Sequence, residues 1–219
     1  MESAFRARQF WLLWIVLFCN VTAGIGLLEQ ASPMVQDFFG TVGPAEAAGY
    51  VGFLSLCNMI GRFIWSSTSD VIGRKRTYIG YLGVGGLLYL LIATSGTSSV
   101  VLFVAVTGVI LSFYGGGFAT VPAYLKDLFG SYNVGAIHGR LLTAWSCAGI
   151  AGPLIINVIA DFQLALGRTG AELYVLSLYV MVGVMAIGFC ANMLIRPLGG
   201  QAPPQPRGER SVPAERSPS

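Results

Sequence analysis

Residues 61–77, GRFIWSSTSDVIGRKRT, are the most specific stretch of this 219-residue chain. They separate two apolar segments and contain Asp70, then Gly73 after two further residues, then the basic triplet 74–76. Gly73 allows a sharp turn between two helices, and Asp70 can pair with Arg74 or with a neighbouring helix end. Three consecutive cations hold such a loop on the cytoplasmic side of a membrane. The stretch therefore predicts a tight cytoplasmic turn between two membrane-spanning helices.

The composition indicates a membrane protein throughout. Hydrophobic residues make up 54% of the chain and charged residues only 11%, whereas about a quarter of a soluble globular domain is charged. The mean hydropathy is +0.69, and the 29 glycines fit the same class because small residues let helices approach closely in a bilayer. The net charge of +3 lies in short clusters beside apolar runs and in the tail. It is typical of membrane orientation, and we expect no nucleic-acid partner.

Six apolar stretches are long enough to cross a bilayer, which takes about 20 helical residues. The first to sixth spans are predicted at residues 10–31, 47–68, 77–95, 99–125, 134–160 and 173–195. The first is longer than the ~7–15 apolar residues of a signal peptide, and no small-residue cleavage site closes it. We therefore predict an all-α fold, an integral membrane six-helix bundle over residues 10–196, preceded by a cytoplasmic segment at 1–9.

Basic residues indicate how the spans are oriented. Arg6 and Arg8 precede the first span and the triplet 74–76 follows the second, whereas the loop after the first span is acidic. By the positive-inside rule both termini are cytoplasmic. Residues 197–219 are rich in Pro, Gly, Ser, Arg and Glu, with almost nothing apolar to bury, which predicts a disordered cytoplasmic tail.

No cluster of reactive side chains indicates an enzyme, a metal or a cofactor. The four cysteines lie inside apolar segments without paired spacing, which argues against disulfides and zinc. The loops show no nucleophile and base pair, and no soluble domain carries a phosphate-binding glycine loop. The glycines of the spans, Gly115–Gly117, the pair Gly135 and Gly139, and Gly149 with Gly152 and Pro153, predict close-packing faces and break points at which a helix bends.

The stretch 61–77 resembles the signature loop of the major facilitator superfamily, in which an Asp is followed after two residues by Gly, Arg and another basic residue. That loop follows the second helix of each six-helix half, as it does here. One departure is Ser66, where the superfamily usually has Gly four residues before the Asp. The resemblance implies a conformational loop that acts as a cytoplasmic hinge, with the residues Asp70, Gly73, Arg74, Lys75 and Arg76.

Three further segments resemble the C-terminal half of the oxalate/formate antiporter family. They are GIGLLEQASP (24–33) in the first span, YGGGFATVPAY (114–124) in the fourth, and NVGAIHG (133–139) leading to TAW (143–145) in the fifth. The likeness extends over residues 5–196. It implies that the six spans are helices seven to twelve of a twelve-helix transporter, with an N-terminal six-helix half in the same or another chain as partner. We expect a bacterial inner (plasma) membrane location.

Arg62 is the leading candidate for a substrate ligand. It lies eight residues, about 12 Å along a helix, from Asp70 at the membrane edge, and thus close to the bilayer midplane. A charge at that depth costs roughly 3 kcal/mol or more unless it faces a cavity or a partner, and transporters bind substrate at this depth. No Asp or Glu of this chain is expected there, so the alternative, a structural ion pair, needs an acid from the missing half.

The resemblance implies a second ligand position, at which this chain departs from the family. The matching Arg of the antiporters binds substrate carboxylate together with a Lys on the eleventh helix, and Trp145 stands where that Lys is expected. Two cations suit a dianion, whereas one Arg beside an indole suits a monoanion with an apolar or flat portion. We expect formate, lactate or another small monocarboxylate rather than oxalate. Ordinary helix packing is the alternative role of Trp145.

Three more residues are predicted to contact substrate. Asn20 lies about 15 Å into the first span, and Tyr114 and Phe118 lie one turn apart on the fourth. The two aromatic residues also match positions that line the cavity in the antiporter family; packing is their alternative role. Glu29, near the outer end of the first span, is either a gate or proton-relay group or an externally exposed carboxylate. His138 is expected to be interfacial rather than a proton carrier.

The predicted function is secondary transport of a small organic anion by alternating access. Six helices provide only half of a cavity that lies between two rocking halves. A truncated product or partner membrane subunit without transport activity of its own is therefore the alternative. Homodimerisation is a third possibility, although faces shaped for a different partner would be mismatched.

Overall fold

The computed structural model describes residues 7–96, 98–131 and 134–196, and the regular structure in these ranges is entirely helical. Six helices are long and apolar enough to cross a membrane, which confirms the predicted all-α bundle and identifies a multi-pass integral membrane protein. The first to sixth spans are Arg8–Glu29, Pro44–Ile72, Arg74–Ser95, Val100–Phe129, Val134–Ala165 and Glu172–Leu194.

Some sequence predictions fall outside the described residues. Arg6 and most of the predicted N-terminal segment precede them, the predicted tail at 197–219 follows them, and Asn133 lies in a gap. The cytoplasmic location of both termini and the domain boundaries stay predictions.

Glycines with positive φ end two of the spans at one end of the bundle. Gly73 has φ 90° after the second span, and Gly130 has φ 79° after the fourth. An L-residue with a side chain rarely adopts this conformation, so glycine lets the chain leave the helix sharply. The second span begins at Pro44, whose missing N–H costs nothing in the first helical turn.

The first and fourth spans form the centre of the bundle. In their most apolar windows 67% and 56% of residues are buried, against 28% in the second span and 22% in the fifth. The first span packs against the fourth, fifth and sixth, and the second packs along the fourth. The second and fifth spans therefore present most of their apolar surface outward, where lipid or another helix would contact it.

Glycines bring the second and fourth spans together backbone to backbone. A Cβ on Gly115 would lie 2.1 Å from the carbonyl oxygen of Asn58, and one on Gly61 would lie 2.2 Å from that of Ser112. Small residues at such crossings permit close van der Waals packing in a membrane.

That helices bend at these glycines stays a prediction. The fourth span is one continuous helix through Gly115–Gly117, and the fifth is continuous from Thr143 to Ala165, past Gly152 and Pro153. Intrahelical hydrogen bonds are strongly favoured in a bilayer, and Gly115–Gly117 and Gly152 lie at close contacts with neighbouring helices, as predicted for packing faces. Gly135 and Gly139 face no described atom within 4 Å, so this pair forms no packing face in the described structure.

Three local features were not predicted. A short helix, Ala31–Phe38, connects the first two spans; the third contains a π-helical turn, Gly80–Val84; and the fifth is interrupted at Leu142. The π-helical turn carries Tyr81, whose ring centroid lies 5.8 Å from that of Trp65 on the second span. It thus places an aromatic side chain of the third span against the crossing of the second and fourth.

Candidate functional site

Four predicted substrate ligands lie together and are called here the Arg62 cluster: Arg62, Tyr114, Phe118 and Trp145. Cζ of Arg62 lies 5.5 Å from the ring centroid of Phe118. The centroid of Phe118 lies 5.8 Å from that of Trp145, with the ring planes at 52°. Nε1 of Trp145 donates a hydrogen bond to the hydroxyl of Tyr114 at 3.4 Å. The second, fourth and fifth spans each contribute to this one cluster.

The guanidinium of Arg62 is exposed and has no carboxylate partner among the described residues. Both ion pairs in the described ranges belong to Arg74 instead. The contact with Phe118 is a cation–π interaction, which stabilises the charge without using the hydrogen-bond donors in the guanidinium plane. Arg62 can therefore bind an anion by donating two parallel hydrogen bonds to it.

The aromatic members of the cluster differ in how they are held. Trp145 is 42% exposed on the least buried span, so much of its indole faces outward. Tyr114 packs against the first span at Gly24, where an added Cβ would lie 2.4–2.7 Å from its side-chain atoms. Gly24 therefore provides the room for the Tyr114 ring, and the hydroxyl of Tyr114 accepts the long hydrogen bond from Trp145.

Asn20, the fifth predicted ligand, lies in the core and not in a described contact with the cluster. Its side chain packs against Gly117, the residue before Phe118; a Cβ there would lie 2.5 Å from Nδ2 of Asn20. Asn20 is 2% exposed, and Nδ2 has no hydrogen-bond partner in the described structure. Leaving a buried donor unpaired costs about 1–3 kcal/mol, so this amide would gain from a polar partner.

The predicted conformational loop is tied to the fourth span by Arg74. Its guanidinium pairs with Asp70 and hydrogen-bonds Ser69, and its Nε lies 3.5 Å from Oδ2 of Asp127. The sequence indicated a pair between Asp70 and Arg74 but not the role of Asp127. The available signal was an acidic residue at the end of the fourth span, on the side that the sequence predicts to be cytoplasmic and on which the loop after the second span also lies.

Lys75 ties the same loop to the end of the sixth span. Its Nζ donates hydrogen bonds to the carbonyl oxygens of Met193 at 2.9 Å and Ile195 at 2.7 Å. Asn192 donates through Nδ2 to the carbonyl oxygen of Lys75 at 3.0 Å and accepts a hydrogen bond from Tyr124 at 3.1 Å. The loop is therefore bonded to three helix ends, and Asn192 and Tyr124 are members of this network that the sequence did not indicate.

Glu29 and His138 make no described contact with the cluster. Glu29 is exposed at the end of the first span, beside Gln30, which donates a hydrogen bond to Asn157 of the fifth span at 2.7 Å. His138 is half-buried, and its Nδ1 has no partner in the described ranges. Neither geometry distinguishes the roles considered for these residues. Over the described residues, no group of three or more His, Cys, Asp and Glu side chains could hold a metal ion.

Comparison with known proteins gives the family. Residues 41–218 match the family model of the Major Facilitator Superfamily. The oxalate:formate antiporter of Oxalobacter formigenes is 28% identical over 147 residues, which are 67% of this chain and 35% of that protein. The major facilitator-type transporter hxnZ of Emericella nidulans is 32% identical over 155 residues, 69% of this chain and 25% of that protein. Protein ZINC INDUCED FACILITATOR-LIKE 1 of Arabidopsis thaliana is 26% identical over 180 residues, 74% of this chain and 34% of that protein.

The matched part of the chain spans only 25% to 35% of the length of these relatives. Their names describe transporters or facilitators, which agrees with the prediction that the chain is not an enzyme. Six apolar helices are the content of one half of a twelve-helix transporter fold. The family match covers most of the chain, and this chain belongs to the Major Facilitator Superfamily.

Proposed function

We propose that this chain is the C-terminal six-helix half of a secondary transporter that moves a small monocarboxylate by alternating access. The observation that carries the proposal is the environment of Arg62. Its guanidinium, at a sequence position expected near the bilayer midplane, lies over Phe118 and pairs with no carboxylate of the described residues. A substrate anion at this position would neutralise a charge that the described residues leave unpaired.

The charge of the cluster favours a monoanion. Arg62 is the cation of the Arg62 cluster, and Trp145 occupies the position at which the resemblance implies a second cation. One guanidinium binds one carboxylate in two parallel hydrogen bonds, so a dianion such as oxalate would keep an unpaired charge here. The likeness to a protein named as an oxalate:formate antiporter supports the class of small carboxylates.

The cluster has an open side, which supports the need for a second six-helix unit. The second and fifth spans, which carry Arg62 and Trp145, are the least buried of the six. A second half, in the same polypeptide or in another, would close this side. In that assembly the network around Arg74 and Lys75 serves as the cytoplasmic hinge between conformations. Location in a bacterial inner membrane with both termini cytoplasmic belongs to the same proposal.

The test is binding and uptake by the full chain. Labelled formate, lactate, pyruvate and oxalate are offered to the purified chain in detergent and to proteoliposomes that contain it. Arg62→Ala removes the cation and Arg62→Lys keeps a charge without the planar fork. Arg168→Ala, at an exposed loop position, is the matched control.

We expect saturable binding of a monocarboxylate that weakens at least about tenfold in Arg62→Ala and less in Arg62→Lys, with Arg168→Ala unchanged. Binding that does not depend on Arg62 would contradict the proposed site. Binding without uptake would support the alternative, a subunit or fragment that needs its other half to transport.

A further inference from the structure

The Arg62 cluster also limits the shape of the ligand. We propose that the transported monocarboxylate has a planar, aromatic body that stacks on Trp145 while its carboxylate pairs with Arg62. This inference rests on the proposed function, because it assumes that Arg62 binds a substrate carboxylate. It goes further by naming the part of the substrate that is not charged.

The distances allow one small ligand to touch both groups. Arg62 and Trp145 both contact Phe118, at 5.5 and 5.8 Å from its centroid, so the guanidinium and the indole centroid are at most about 11 Å apart. A carboxylate lies within about 3 Å of guanidinium nitrogens, and aromatic rings pair at centroid separations of about 4.5–7 Å. An acid with its carboxylate directly on one ring is therefore long enough to reach both groups.

The indole offers this ligand an apolar plane. Trp145 is 42% exposed, and its one polar atom, Nε1, already donates to Tyr114. The rest of the indole is apolar carbon, which a planar apolar ligand would cover and formate, which has no ring, would not. A ligand without a ring would thus gain little from Trp145.

Tyr114 and Phe118, beside the indole, offer further contacts to such a ligand. The hydroxyl of Tyr114 accepts the hydrogen bond from Trp145, so its own proton is available to an acceptor on the ligand. Phe118 adds a second ring, tilted by 52° to the indole. The cluster therefore combines one cation, one hydroxyl donor and two aromatic surfaces, which is the complement of an aryl monocarboxylate.

The test compares acids that differ only in the uncharged part. Equilibrium dialysis of the purified full chain measures the dissociation constants of labelled benzoate, cyclohexanecarboxylate and formate. Cyclohexanecarboxylate has the same charge and ring size as benzoate but is not planar. The variants are Trp145→Leu, Trp145→Phe, which retains a ring, and Arg62→Ala.

We expect benzoate to bind about five- to tenfold more tightly than cyclohexanecarboxylate. Its affinity should exceed that of formate by at least the same factor. Trp145→Leu should abolish this preference and Trp145→Phe should retain part of it, and the thermal unfolding of each variant in detergent shows whether it folds. Equal affinities for the two ring acids, or a preference that survives in Trp145→Leu, would overturn the aromatic assignment while the monocarboxylate site stands. Binding of none of the three acids through Arg62 would overturn both.

Discussion

The guanidinium of Arg62 lies over the face of Phe118, with Cζ 5.5 Å from the ring centroid. The contact joins the second span to the fourth at the candidate site, because the negative face of the ring attracts the cation. It also orients the guanidinium, since a fork held against a ring has fewer conformations than a free side chain. Phe118 is thus predicted to act on the substrate through Arg62 as well as through its own ring.

Phe118→Leu tests this relationship. Leucine keeps apolar bulk but has no ring face, so we expect monocarboxylate affinity to fall about three- to tenfold, the equivalent of a cation–π contact. Binding isotherms of the purified chain measure the change, and thermal unfolding reports whether the fold is intact. Phe189→Leu, a partly buried Phe of the sixth span, is the control and should leave affinity unchanged. Equal effects of the two variants would show that only general packing is altered.

Trp145→Lys should change the charge preference of the site. A lysine at this position adds a second cation near Arg62, and two cations suit a dianion. We expect measurable oxalate binding to appear and benzoate binding to weaken, as measured by competition against a labelled ligand. Trp145→Leu separates the two effects, because it removes the ring without adding charge and should gain no oxalate binding. Failure of the lysine variant to bind oxalate would argue that position 145 does not face the ligand of Arg62.

Bilayer thickness explains why the helices could be predicted so fully from the sequence. A span needs about 20 apolar residues whatever its neighbours are, so six such stretches predict six helices. The same reasoning predicts the depth of Arg62. The contact between Phe118 and Trp145 could not be predicted, because it depends on how the fourth and fifth helices are rotated about their axes. Depth along a helix does not contain that information.

The features that the sequence did not indicate have a similar physical origin. A run such as Gly115–Gly117 permits a close crossing, but the backbone at Asn58 that it meets lies on another helix, and the run itself does not indicate which helix that is. Asp127 lies 53 positions after its partner Arg74 in the sequence, and nothing local to either residue indicates the pair. The π-helical turn at Gly80–Val84 likewise has no signature in hydropathy.

Gly24→Ala should weaken binding by displacing Tyr114 from its place against the first span. The new Cβ would lie 2.4–2.7 Å from the Tyr114 side chain, so the ring must move, and with it the hydroxyl that holds Trp145. We expect aryl acid affinity to fall several-fold while Arg62-dependent formate binding changes less. Gly183→Ala is the matched control, because no described atom lies within 4 Å of its added Cβ. If both alanines were equally harmless, Tyr114 would not have the positioning role assigned to it.

Lys75→Met should loosen the loop from the sixth span. The last carbonyl groups of a helix have no intrahelical partner and a partial negative charge, and Lys75 donates to two such oxygens, those of Met193 and Ile195. Methionine keeps the length and apolar stem of the side chain but removes both hydrogen bonds, so we expect a loss of about 1–2 kcal/mol. The measurement is the thermal unfolding midpoint of the chain in detergent. Arg76→Met removes an equal charge from an exposed neighbour and should leave the midpoint nearly unchanged. Of these two residues, Lys75 is the one that bonds to the helix end. Equal shifts for both variants would therefore contradict the prediction and assign the effect to the net charge of the loop.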